Sequence, residues 1–335
     1  MAAPLDICLF GAGRIGAIHA SNITAHSAAR LKYVVDPNPE AADALARACG
    51  AAVAATDEAL GDPAVGAVVI ASSTDTHVDL ITRSARAGKA VFCEKPMDLD
   101  LARVDRCVAE LEAAGVPFML GFNRRFDPSF SELRAAVRRG ELGRVEMVTI
   151  ISRDPRPPPI AYVEVSGGLF RDMMIHDLDM AAWLLDERIV EVTAAASCLI
   201  DPAIGAAGDV DTAMVLLRAA SGALCHIQNS RRAAYGYDQR IEVFGERGLL
   251  SATNRSATTV ARWSGDGVLG PRPMDFFLDR YAQAYREEIG HFVDAVTSGK
   301  RPEVGARDGR RALALAEAAL ESARTRRAVE VPHRR

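Results

Sequence analysis

Residues Leu5–Phe10 form a short apolar run that ends in Gly11-Ala12-Gly13-Arg14-Ile15-Gly16. A G-x-G-x-x-G turn between a strand and a helix restricts the fold more than any other stretch of the chain. Gly11 permits the tight turn. Gly13 lets the backbone come close to a pyrophosphate, and Gly16 lets the helix pack against the strand. The helix that opens around Arg14 and Ile15 presents free N–H groups and the positive end of its dipole to phosphate oxygens. The next apolar run, Leu31–Val35, ends in Asp36. An acidic group there accepts hydrogen bonds from adenosine ribose hydroxyls and repels a 2′-phosphate, which favours NAD over NADP. The alternative for Asp36 is a turn residue before Pro37.

Strand and helix patterns then alternate: Ala67–Ala71 as strand, Thr76–Ala87 as helix, Ala90–Cys93 as strand, Leu101–Ala114 as helix and Pro117–Leu120 as strand. Such alternation means βαβ units and a parallel sheet. Two loops follow strands and so lie at carboxyl ends, where open α/β sheets bind ligands. The first contains Ser72, Thr74 and His77; it lines a cofactor or caps the next helix. The second is Glu94-Lys95-Pro96. Lys95 is one of only four lysines. It is a candidate active-site group, with a surface turn lysine as the alternative.

A length of 335 residues exceeds one ordinary core, so two domains are expected: an NAD-binding domain over 1–122 and a second over 123–335. The net charge of −4 gives no case for nucleic acid or an anionic membrane as partner. The start lacks a basic segment followed by a long apolar one, and no apolar run reaches the length of a membrane span. The six cysteines are scattered without a C-x-x-C pair, which fits a reducing cytoplasm and argues against zinc or disulfides.

The second half reads differently. A helix (Ser129–Arg139) and a strand (Arg144–Ser152) precede a stiff, proline-rich connection, Asp154–Pro159. Six β-type segments follow later: Val190–Leu199, Thr212–Arg218, Ala223–Asn229, Gln239–Phe244, Leu249–Thr253 and Thr258–Trp263. Consecutive strands without helices between them predict a large, mostly antiparallel open sheet. Two helices close the chain: Asp279–Ser298, and Gly309–Ala323 with Asp308 as its cap. A sheet this broad buries its outer face against another subunit, so an oligomer is expected.

Gly167–Leu185 reads as one half-buried helix with Asp172, His176 and Asp179 at i, i+4 and i+7, a narrow polar stripe on an apolar element. Buried ionisable groups are costly unless paired or used. Together with the Gly-rich turn and Lys95, the stripe points to alcohol oxidation. There His176 takes the hydroxyl proton, Asp172 orients it or holds a neighbouring hydroxyl, and Lys95 stabilises charge on the reacting oxygen. No third ligand cluster supports a metal, so none is expected. Asp177, off the stripe, is left without a role.

These motifs carry a resemblance. G-A-G-R-I-G at Gly11–Gly16, C-E-K-P at Cys93–Pro96, and G-G-x-x-x-D-x-x-x-H-D from Gly167 to Asp177 resemble the Gfo/Idh/MocA oxidoreductase family over nearly the whole chain. The resemblance implies an N-terminal Rossmann domain, a C-terminal α/β domain with a large open sheet, a homotetramer and a Lys/Asp/His set at Lys95, Asp172 and His176. Gly121–Asp127, Ser152–Pro155 and Asp172–Met180 are similar to members that act on inositols. The implied reaction is oxidation of the axial hydroxyl of myo-inositol to the 2-keto compound with reduction of NAD. The implied cofactor contacts are Gly11, Gly13, Arg14, Ile15, Gly16, Asp36, Ser72, Thr74, His77, Glu94 and Lys95. Substrate hydroxyls would be held by Lys95, Asp172 and His176 with Asp179, Asn123, Arg125, Asp154 and Tyr235. Another inositol isomer or a pyranose sugar is the neighbouring reading, and a non-catalytic NAD-binding regulatory protein is the distant one.

Overall fold

A computed structural model describes residues 3–331. The chain divides into two compact units, one of residues 1–126 with 284–311 and one of residues 127–283 with 312–335.

The first unit contains six strands: β1 (Leu5–Phe10), β2 (Ala29–Val35), β3 (Ala52–Val53), β4 (Val65–Ile70), β5 (Ala90–Glu94) and β6 (Phe118–Gly121). All pairs are parallel, in the order β3-β2-β1-β4-β5-β6. This is a doubly wound Rossmann sheet, with its topological switch point between β1 and β4. The central strands β1, β4 and β5 are almost wholly apolar and buried, as strands covered on both faces must be. The crossover helices start on sequence signals. Asn38 accepts hydrogen bonds from Glu40 and Ala41 N–H ahead of the helix Pro39–Cys49, and Asp100 does the same for Leu101–Ala114. Residues 284–311 return to this unit, a step that a single cut at 122/123 does not contain. The returning segment joins by packing: the Phe292 ring meets Phe92 edge-on at 5.8 Å, and Leu120 N donates to Val304 O.

The second unit contains β7 (Val145–Arg153), β8 (Ile189–Ser197), β9 (Thr212–Ala219), β10 (Leu224–Ser230), β11 (Asp238–Gly245) and β12 (Gly248–Ala252). It also holds a small hairpin, β13 (Arg262–Ser264) with β14 (Gly267–Leu269), and a short β15 (Val329–Glu330). Seven of these form one sheet, ordered β12-β11-β7-β10-β9-β8-β15. Only the β7–β10 pair is parallel. Along β9 burial alternates strictly, Ala213, Val215 and Leu217 inward, Met214 and Leu216 outward, so one face is core and the other open. The core is pinned by a buried ion pair, Arg280 with Asp127, whose second hydrogen bond measures 3.3 Å.

Four local expectations need correction. Thr258–Trp263 is not a sheet strand; only its last two residues are extended, in the separate β13–β14 hairpin. Asp308 does not cap Gly309–Ala323. The helix runs Ala306–Thr325, and Asp308, in its first turn, reaches back to accept from Gly305 N–H at 2.9 Å, the reciprocal half of a capping box. The last-but-one helix breaks near Tyr281 into Phe277–Arg280 and Ala282–Thr297. The proline run is followed by an unexpected short helix, Ile160–Ser166.

Candidate active site

In the first unit the loops at the carboxyl ends of β1, β2, β4 and β5 carry the candidate cofactor residues. Gly11 has φ +101°, and a Cβ there would lie 2.5 Å from Ala71 O. A Cβ on Gly16 would lie 2.0 Å from Gly11 O, so helix and turn touch backbone to backbone. At Gly13 a Cβ would meet nothing within 4 Å: the turn opens to free space on the side where a pyrophosphate approaches. Arg14 is exposed and Ile15 half-buried at the start of the helix Arg14–Ala25, whose Gly13 cap offers no side chain to its first N–H groups. Asp36 is half-buried at the end of β2. Its Oδ2 accepts from Ala12 N–H at 2.6 Å and its Oδ1 from Asn38 N–H at 2.8 Å. The carboxylate is thus fixed against the glycine turn, and each oxygen keeps acceptor capacity for a ribose hydroxyl. Open turn, uncapped helix N-terminus and anchored carboxylate fit a dinucleotide.

Ser72 Oγ and Thr76 Oγ1 are paired at 2.7 Å, and Thr74 opens the short 3-10 turn that leads into the helix His77–Arg86. His77 is 1% exposed, with Nδ1 2.8 Å from Pro96 O and Nε2 3.1 Å from Ser72 O. Burial lowers its pKa while the two carbonyls oppose that shift, and the ring bridges the two loops. Glu94 turns its Oε1 to His19 Nε2 at 2.7 Å, and its Oε2 accepts from Lys95 N–H at 3.3 Å. Lys95 is half-buried. Asn123 and Arg125, expected at the substrate, belong to this unit and are buried; Arg125 Nη2 donates to Asp308 Oδ1 at 3.0 Å.

One cluster here left no clear signal in the sequence. His19, Glu94 and Glu288 bring their ligating atoms within 4.8 Å of one another, a spacing compatible with a metal ion. Glu288 is fully buried, and among the described residues neither carboxyl oxygen has a hydrogen-bond partner. Burial first, then the Glu94 charge, pushes its pKa well above the usual carboxylate value. Phe92 and Tyr285 stand edge-on to His19, and the raised pKa favours the protonated, neutral form of Glu288.

In the second unit the Gly167–Leu185 stretch is not one helix. Gly168 has φ +79°, and a Cβ there would lie 2.6 Å from Asp209 Oδ1. Leu169–Met173 then forms a π-helical turn, closed by Met174 N to Leu169 O at 2.8 Å, before the α-helix Ile175–Leu185. Asp172 lies in the wide turn and His176 in the first turn of the α-helix, so a uniform 100° step does not describe their spacing. Wide turns of this kind occur frequently at functional sites. Both side chains are half-buried, whereas Asp177 and Asp179 are buried. Asp177 has a clear role: its Oδ2 accepts from Asn229 Nδ2 at 2.8 Å, fastening the helix to β10. Tyr162 donates to Asp172 Oδ1 at 3.0 Å. Asp154 is half-buried at the end of β7, its N–H bonded to Ser230 O. Tyr235 donates to Asp238 Oδ2 at 2.5 Å and accepts from Arg153 Nη1 at 2.8 Å. Burial raises the Asp238 pKa, but donors from Arg240, Tyr235 and Asn254 outweigh it and hold the carboxyl below its usual value.

A Rossmann unit with a dinucleotide turn, joined in one chain to an open-sheet unit that presents Asp172 and His176, defines an NAD-dependent oxidoreductase. Residues 5–122 match the oxidoreductase family with an NAD-binding Rossmann fold, and residues 130–251 match the GFO/IDH/MocA C-terminal domain. The chain belongs to the Gfo/Idh/MocA family. It is 50% identical over 323 residues to an inositol 2-dehydrogenase of Rhizobium meliloti (strain 1021), covering 96% of this chain and 98% of that one. It is 47% identical over 329 residues to a myo-inositol 2-dehydrogenase of Thermotoga maritima, covering 98% of each. The crystal structure of scyllo-inositol dehydrogenase from Lactobacillus casei, with bound NAD(H) and scyllo-inositol, superimposes with a TM-score of 0.91 at 28% identity, covering 98% of this chain and 99% of that one.

Proposed function

We propose that the protein oxidises myo-inositol at its axial hydroxyl to the 2-keto compound. The observation that carries this reading is the near-complete, half-identical match to a relative named for that activity, in a chain that keeps Lys95, Asp172 and His176. NAD, when bound at the glycine turn, accepts the hydride from the substrate carbon. His176 takes the proton of the same hydroxyl; an imidazole titrates near neutrality and serves as base there. Asp172 orients the imidazole or holds the adjacent hydroxyl. Lys95 donates to the reacting oxygen and offsets the negative charge that develops on it. Asp154, Asp179, Asn123, Arg125 and Tyr235 are the remaining candidates for the ring hydroxyls. A polyol with a hydroxyl on every carbon requires this density of polar groups.

The test is a substrate panel with NAD, read by NADH absorbance: myo-, scyllo- and chiro-inositol, and glucose. The expected result is the highest kcat/KM for myo-inositol. A clear preference for glucose overturns the substrate assignment, and NAD binding without turnover of any polyol points to the regulatory reading. The scyllo-inositol relative makes scyllo-inositol the second substrate to try.

We further infer a homotetramer in the cytoplasm. Leu249, Phe244 and Met147 stand side by side in register on the open face of the seven-stranded sheet, with Leu216 and Met214 on the same face of β9, and all five are exposed. Such a surface suits a second copy of itself. All six cysteines are unpaired, which suits a reducing compartment, and among the described residues no helix is long and apolar enough to cross a membrane.

A further inference from the structure

Asp172 sits on a turn whose backbone is held from one side. Leu169 N donates to Asp209 Oδ1 at 3.0 Å and Oδ2 at 3.1 Å, and the buried Arg231 reaches the same carboxylate at 3.5 Å. That fixes where the π turn begins, not how the Asp172 carboxylate is rotated. Tyr162 acts on the carboxylate itself. It lies in the helix Ile160–Ser166, on the other side of the Gly167-Gly168 bend, and its hydroxyl donates to Asp172 Oδ1 at 3.0 Å. The residue is 47% exposed, and its hydroxyl is held against Asp172. Loss of water around the hydroxyl, and then the Asp172 charge and hydrogen bond, push the phenol's pKa upward; Arg231 opposes and Asp154 adds to the shift. The phenol therefore stays protonated and remains a donor throughout the working range of an imidazole base.

We propose that Tyr162 is a positioning residue that fixes the Asp172 carboxylate for its part in the reaction. The role rests on the polyol oxidation assigned above and deepens it. A carboxylate on a one-carbon stem has two loosely defined torsions; a donor to one oxygen removes the freedom to turn that oxygen away from its partner in the reaction. Phenylalanine keeps the ring and its packing but loses the donor.

The test uses the full-length enzyme. In Tyr162→Phe, kcat with myo-inositol should fall by roughly 10- to 100-fold, the scale of a hydrogen bond to a charged group, while KM for NAD and the melting temperature stay near wild type. In an Asp172→Asn background the same substitution should cost little more, because the carboxylate it positions is gone. A readout independent of turnover is phenol ionisation by ultraviolet difference absorbance. One tyrosine should ionise at lower pH in Asp172→Asn than in wild type, and this difference should vanish when Tyr162→Phe is added. If wild-type enzyme oxidises no polyol, the functional assignment fails. If the wild type is active and Tyr162→Phe retains full kcat, or the phenol titration does not respond to Asp172→Asn, the positioning role alone is overturned.

Discussion

At the scale of single residues, the proposed reaction assigns chemistry to His176 and Lys95. His176 and Lys95 are half-buried and stand at the ends of secondary-structure elements, His176 in the first turn of a helix and Lys95 just after a strand. Replacing His176 with Ala, or Lys95 with Met, should lower kcat by about 10²- to 10⁴-fold, with NAD affinity measured by fluorescence titration nearly unchanged. A variant with wild-type kcat removes that residue from the mechanism. Glu288 gives a different prediction. Its folded pKa is raised, so it stays protonated in the fold while the unfolded chain releases the proton above the ordinary carboxylate range. Its contribution is therefore complete below that range and is lost as pH rises through the raised folded value, at up to about 1.4 kcal/mol per pH unit for one proton. Glu288→Gln mimics the neutral acid and should flatten this part of the stability profile in urea titrations between acid and alkaline pH. An identical slope in wild type and variant would show that Glu288 ionises normally. His77 and Arg125 illustrate the limits of reading single residues: His77 contacts the carbonyls of Pro96 and Ser72 and Arg125 donates to Asp308, contacts that no local pattern announces.

At the scale of elements, the decisive feature is the break in Gly167–Leu185. The sequence shows an apolar stretch with three polar residues at helical spacing. In the structure its first turn is a π turn, preceded by Gly168 at a positive φ against Asp209, where a side chain has no room. Gly168→Ala should cost about 1–3 kcal/mol in backbone strain, and more if Asp209 is displaced. It should also reduce kcat more than it changes KM for NAD, since it moves Asp172 and leaves the glycine turn of the other unit alone. A variant with normal kcat would show that the π turn does not set the Asp172 position. Five of the six parallel strands are legible as short apolar runs, whereas the two-residue, exposed edge strand β3 offers no such run; the helix Leu101–Ala114 has the expected bounds. The helix Ile160–Ser166 and the hairpin β13–β14 were not. The first follows prolines that favour extended chain, and the second has exposed apolar residues, Trp263, Val268 and Leu269, that mimic a buried strand pattern.

At the scale of the whole molecule, the exposed apolar row on the seven-stranded sheet argues for association. Phe244→Asp places a charge in the middle of that row. Sedimentation velocity should find the wild type as a tetramer and this variant as a smaller species. A monomeric wild type at micromolar concentration overturns the assembly assignment. The buried Arg280–Asp127 pair makes a contrasting prediction within one chain. Asp127→Ala leaves a buried guanidinium uncompensated and removes the cap of the helix Pro128–Arg138, and should destabilise the fold by about 3–5 kcal/mol in urea titrations. A loss below about 1 kcal/mol would mean that water reaches the arginine.

The sequence by itself determined the α/β class, the parallel character of the first sheet, the mostly antiparallel second sheet, and the motifs Gly11–Gly16, Glu94–Pro96 and Gly167–Asp177. These depend on local periodicity, on glycines that only certain turns require, and on short spacings, all of which are properties of neighbouring residues. Only the tertiary structure decided which polar side chains are already occupied. That Glu94 turns to His19, that Glu288 is buried beside them, that Asp177 is fastened to Asn229 and that Tyr162 reaches Asp172 depend on pairs brought together by packing. Most of these pairs are far apart in the chain, and nothing in the local pattern of either partner specifies the other.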